Sequence, residues 1–80
     1  MLTDYLQAAL HQARYERLDG DEGYYGEIPA CPGVLANAPT LEGCRDQLIE
    51  VLEEWVVIRL AKGLQLPTID GHELRIRDVA

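Results

Sequence analysis

The stretch from Thr40 to Gly63 constrains this 80-residue chain more than any other. Thr40 is placed to cap a helix and Glu42 falls in its first turn, where a carboxylate meets the positive end of the helix dipole. Leu41, Cys44, Leu48, Val51, Leu52, Trp55 and Ile58 then recur three or four residues apart, the spacing that lines one side of a helix with apolar groups. Lys62 suits the carboxyl end and Gly63 the position just past it. A helix over Leu41 to Lys62 would run roughly 33 Å at about 1.5 Å per residue. In so small a chain it must span the domain, and the remaining residues must supply a layer that covers its apolar stripe.

Upstream, Leu2, Leu6, Ala9 and Leu10 recur at helical spacing, with Thr3 as cap and Asp4 in the first turn, so residues 1–12 form a short helical extension. From Ala13 to Glu16 the pattern becomes alternation, with Ala13 and Tyr15 on one side and Arg14 and Glu16 on the other, as in a half-buried strand. Turn formers fill Asp19 to Gly23, and the tract Tyr24 to Ile28 is aromatic and β-branched, which together signal a hairpin. Pro29, Pro32 and Gly33 interrupt the ladder before Val34 to Ala38 resumes it as a third antiparallel strand, ended by Pro39. After the long helix, Pro67 and Asp70-Gly71 mark a loop and turn, and residues 72–78 alternate as a final strand that needs a free sheet edge. The expected architecture is a single α+β domain over residues 1–80. It has a short helix at 1–12, a three-stranded meander at 13–38, one long helix at 40–62 covering the antiparallel sheet, and a last strand at 72–78.

Composition narrows the function. Fourteen acidic residues against seven basic ones give a formal charge of −7, which repels phosphate backbones and favours a basic partner, so direct binding to nucleic acid is not expected. No apolar run approaches the roughly 20 residues of a membrane span, and the amino terminus has no signal-peptide pattern, which makes the cytoplasm the expected compartment. Cys31 and Cys44 are too few for a disulfide framework and are expected as free thiols.

Few residue groupings point to chemistry. Asp19, Asp21 and Glu22 cluster in one turn as hard-cation ligands would, but no glutamate closes an EF-hand loop, and they read as a solvated acidic turn. His11, Cys31, Cys44 and His72 could together fill a zinc site, yet neither cysteine has a second ligand two to four residues away, and Cys44 falls on the apolar stripe. The chain has no serine, and its two histidines lie near opposite ends, so no nucleophile and base are paired locally. No metal, cofactor or catalytic function is expected.

Two surface features suggest association instead. Glu42, Asp46, Glu50 and Glu54 follow one another at i, i+4 along the long helix with Glu53 beside them, an acidic stripe that is either its solvated face or a docking surface for a basic protein. Trp55, Val56, Val57, Ile58 and Leu60 cover more than one side of the helix. Either the amino-terminal helix buries the surplus or a second copy does, with Trp55, Val56 and Leu60 as the expected contacts of a dimer or tetramer.

The run Tyr24-Tyr25-Gly26-Glu27-Ile28-Pro29-Ala30-Cys31-Pro32-Gly33, then Thr40-Leu41-Glu42, the long helix and Gly63-Leu64-Gln65-Leu66-Pro67, resembles the HicB antitoxin family in order and spacing, over roughly Tyr15 to Pro67. The resemblance implies a partial ribonuclease-H-like βββαβ fold. It also implies a function: binding and neutralising a small, basic, messenger-RNA-cleaving HicA-like toxin by covering its catalytic histidine and RNA-binding face. The partner surface is then expected at Glu42, Asp46, Glu50 and Glu53 and at the turn of Pro32 and Gly33. The chain departs from the family in having Ala30 where an acidic residue is usual and Asn37-Ala38-Pro39 where a glycine enters the helix. Many members also continue into a DNA-binding domain, whereas this sequence ends after its last strand, and operator binding is not expected of it. A ribonuclease-H-like fold raises metal-dependent nuclease chemistry as well, for which Glu16 and Glu27 are the strand carboxylates available.

Overall fold

The computed structural model describes residues 2–20 and 22–71. Helix α1 (Leu2–His11) leads into strand β1 (Arg14–Arg17), followed by β2 (Tyr24–Glu27), β3 (Leu35–Ala38) and helix α2 (Leu41–Ala61). The order expected from sequence is realised over these elements, an α+β fold with one antiparallel sheet in the order β1-β2-β3. The expected final strand at 72–78 lies outside the described residues.

Register ties the sheet to the helix. Arg14 pairs with Glu27 and Tyr15 with Gly26 across β1 and β2, while Gly26 pairs with Ala36 and Tyr24 with Ala38 across β2 and β3. Because side chains alternate, Tyr15, Gly26 and Ala36 form a row on the helix side, and Glu16, Tyr25 and Asn37 a row on the outer side. The middle of the inner row is glycine because both the helix and the Tyr15 ring come close: a Cβ on Gly26 would lie 3.0 Å from both the Cys44 Sγ and the Tyr15 ring. The Cys44 thiol donates to the Ala36 carbonyl oxygen at 3.7 Å, a sulfur contact across the same layer.

Helix α2 is capped at both ends by local chemistry. The Thr40 hydroxyl accepts from the Gly43 amide at 3.0 Å. At the other end Gly63, at φ 68°, donates to the Leu60 carbonyl, and Leu64 donates to that of Arg59, the pair of bonds that defines a Schellman stop. Between the caps the buried row is Cys44, Leu48, Leu52 and Val56, each fully buried. Val51 and Trp55 of the expected stripe lie partly buried beside this row, and the stripe is corrected at its two ends. Ile58 is half exposed, and Leu41, at the first turn, is nearly so. A run of four apolar residues from Trp55 to Ile58 lets the helix continue either a three-residue or a four-residue step, and packing on the sheet selects the latter.

Helix α1 buries Tyr5, Ala8 and Ala9 against the same core. Thr3 lies within its first turn rather than ahead of it, so the capping role expected there does not hold. The Tyr5 hydroxyl donates to the Pro67 carbonyl, joining α1 to the segment that follows α2. Arg59 holds that segment from the helix side, its Nε and Nη2 donating to the Gln65 carbonyl at 3.1 and 2.6 Å while its guanidinium lies 4.9 Å above the Trp55 ring. Ile69 completes the core beneath.

Candidate protein-binding face

The buried row decides what α2 shows to solvent. Successive helix residues are about 100° apart, so with Cys44, Leu48, Leu52 and Val56 centred on the sheet, Glu50 points directly away from it. Glu42, Asp46, Glu53 and Glu54 fall within an arc of about 120° around Glu50. All five carboxylates are exposed. The acidic stripe read from the sequence is therefore a real surface, fixed in direction by the packing beneath it.

The apolar surplus resolves differently from expectation. Val56, expected at an oligomer contact, is fully buried, because it continues the four-residue row into the core. Trp55 and Leu60 are partly buried and pack against that core alongside Leu2, Leu6 and Leu10 of α1, so α1 supplies part of the cover for this end of the molecule. What remains open is Val57, 60% exposed, Ile58, 50%, and Leu64, 47%. Val57 lies on the helix within about 20° of Glu50, so it shares the acidic face, with Ile58 on its flank. The signal for these residues was present in the sequence: extending the row Cys44, Leu48, Leu52 by one further step of four reaches Val56 and turns Val57 outward.

Pro32 and Gly33 occupy a different place. Between β2 and β3 the chain makes two successive turns, with the Cys31 amide donating to the Ile28 carbonyl at 2.9 Å and the Val34 amide to the Cys31 carbonyl at 3.0 Å. Pro32 followed by Gly33 at φ 95° is the pattern of a type II turn. Ile28, Cys31 and Val34 point inward and are buried, while Pro29, Pro32 and Gly33 are exposed. This loop belongs to the sheet layer, whereas the acidic row faces away from the sheet.

The candidate chemical groups stay apart. Cys31 and Cys44 are fully buried free thiols, whereas His11 is exposed, and His72 lies outside the described residues. Burial pushes the Cys31 thiol from its ordinary 9.0 up to about 11, against the opposing pull of Arg59. The Cys44 thiol is raised by burial alone. Both are thus held as protonated, unreactive thiols at neutral pH. Asp19 and Glu22 are exposed in the β1–β2 turn, and Asp21 is outside the described residues. Glu16 and Glu27 both lie on the outer sheet face, Glu16 opposite Tyr25, whose hydroxyl donates to Glu27 at 3.3 Å. That hydroxyl is made a weaker acid, first by desolvation and then by the charges of Glu27 and Glu16. A shallow depression beside α1 is lined by Asp4, Gln7, Ala8, His11 and Asp70. Among the described residues no three histidine, cysteine or carboxylate side chains are grouped to hold a metal ion. No described helix is long and apolar enough to cross a membrane.

Comparison with known proteins adds kinship to this geometry. No curated protein matches the chain. The crystal structure of TTHA0281 from Thermus thermophilus is similar, at 39% sequence identity and a TM-score of 0.87, covering 92% of this chain and 91% of that one. A family model described as UPF0150-like matches residues 4–67. The match takes in most of α1 as well as the sheet and α2. The chain belongs to the UPF0150-like family.

Proposed function

We propose that this chain is a HicB-type antitoxin that binds a small, basic, HicA-like RNA-cleaving toxin and blocks it sterically. The observation that carries the proposal is the family match over residues 4–67, because UPF0150-like proteins are associated with HicB-like antitoxins. The charge of −7 and the outward acidic row of α2 support it, since the toxin in this reading must present cations to RNA and those cations meet carboxylates here instead. In this reading the domain works in the cytoplasm, needs no cofactor and turns nothing over. The fold in this reading is a partial ribonuclease-H-like one.

The test is to co-express the chain with the product of any adjacent small basic gene, purify the two together, and assay RNA cleavage by that product with and without the chain. Stoichiometric co-purification with loss of cleavage is the expected result; an active ribonuclease in the presence of excess chain contradicts the proposal. The competing reading, an oligomeric binding domain without a toxin, draws on the exposed Val57 and Ile58. It predicts no basic neighbour and a mass in solution that grows with concentration through a dimer or tetramer.

A further inference from the structure

We infer that the outward face of α2, with Val57 in line with Glu50, Glu53 and Glu54 and Ile58 on its flank, is the docking surface for a basic protein segment that carries an apolar ridge flanked by lysines or arginines. The inference rests on the protein-binding reading above and adds the surface and the chemistry of what it takes.

Three observations carry it. The face is rigidly aimed, because Cys44, Leu48, Leu52 and Val56 pin the opposite side of the same helix to the sheet. At the carboxyl-terminal end of the carboxylate row Val57 stands 60% exposed in line with it and Ile58, 50% exposed, on its flank, an apolar patch with Glu50, Glu53 and Glu54 along one side. Two nearby cations are turned elsewhere, with Lys62 left at the edge of the patch one turn beyond Ile58: Arg59 is folded back onto the Gln65 carbonyl and the Trp55 ring, and Arg45 lies on the sheet side near Tyr15, where its charge opposes the upward shift that burial imposes on that hydroxyl.

Charge complementarity selects the occupant. A second copy would bring the same carboxylates against this face, with Lys62 at its edge too little to answer them, whereas a basic segment satisfies both components together. The outer sheet face is a poorer competitor for such a segment, since Arg14, Glu16 and Glu27 give it both signs of charge. Desolvation of Val57 and Ile58 would supply affinity, and the surrounding carboxylates orientation and speed of encounter.

The experiment uses the full chain, labelled with nitrogen-15, and two synthetic helical peptides of the same leucine ridge, one flanked by lysines and the other by glutamates. The lysine peptide is expected to shift the amide resonances of Glu50, Glu53, Glu54, Val57 and Ile58, and the glutamate peptide to leave them in place. Val57→Ser, and separately Glu50→Lys with Glu53→Lys, should each weaken the lysine peptide at least tenfold without changing the melting temperature. Equal binding of both peptides, no binding of either, or shifts confined to the outer sheet or to the turn at Pro32 overturns the inference. So does a chain whose mass in solution falls on Val57→Ser, which would make a second copy the occupant. The surface and the antitoxin reading fail separately. A ribonuclease inhibited equally by the chain and by both variants removes this surface alone, and a ribonuclease untouched by a chain that binds the lysine peptide removes the antitoxin reading alone.

Discussion

Gly23 shows how tightly a single position can be specified here. Its backbone sits at φ 84°, and a Cβ there would press into the Ala38 carbonyl oxygen and lie 2.9 Å from the Pro39 Cα. The end of the β1–β2 turn is thus packed directly onto the connection between β3 and α2. Gly23→Ala should lose about 2 kcal/mol or more, since backbone strain adds to a clash with main-chain atoms that have nowhere to move. Gly33→Ala, at φ 95° in open space, meets the strain alone and should lose about 1 kcal/mol. Urea unfolding of the two variants reads the difference, and equal losses would show that the contact with Ala38 contributes nothing. The sequence marks Gly23 as a turn former, and that much was legible. Its neighbour across the fold was not, because the contact exists only once three strands and a helix entry are assembled.

The elements themselves were legible in proportion to how much local chemistry specifies them. Thr40 and Gly63 bracket α2 in the structure as they do in the sequence, since a hydroxyl cap and a left-handed stop are local devices. The rotation of the helix about its axis is not local. It depends on which residues the sheet receives, and four consecutive apolar residues from Trp55 to Ile58 left it open, so Val56 was misplaced and Val57 was not singled out. Strand β1 shows the same limit: all four of its residues are exposed, although alternation predicts a buried side. Helix α2 packs mainly over β3 and β2, and Tyr15, 38% exposed, lies against Gly26 at the margin of its cover. The phase of α2 is checked by two truncations. Leu52→Ala should destabilise by about 2–5 kcal/mol, as a buried leucine does, and Val57→Ala should stay within about 0.5 kcal/mol. Comparable losses at both positions, measured as shifts in denaturant midpoint, would mean that the helix is turned differently.

For the whole molecule, the two groups whose shifts are largest lie where α1, the β2–β3 loop and α2 meet. Burial raises Tyr5 from 10.0 to about 12, with Cys31 adding to the shift and Arg59 opposing it, and burial raises Cys31 to about 11. Both groups are neutral when protonated, so the folded chain holds these protons more tightly than the unfolded one. Their contribution is fully present below the ordinary values near 9 and 10 and is lost as pH rises through the folded ones. The urea midpoint should therefore change little between pH 7 and about 8.5 and fall between about 9 and 11, with a smaller fall in Cys31→Ala, where Cys44 alone of the two thiols remains. A midpoint that holds to pH 11 would contradict the burial of both groups. The hydroxyl of Tyr5 has a further consequence, because its bond to the Pro67 carbonyl joins residues 62 apart in the chain. A contact of such separation must wait for the sheet, α2 and the segment beyond it, since closing so long a loop early loses entropy before anything compensates for it. Helix α1 is thus expected to be the last element to dock. Removing its anchor with Tyr5→Phe should leave the rate of folding nearly unchanged and speed unfolding, bending only one arm of the chevron.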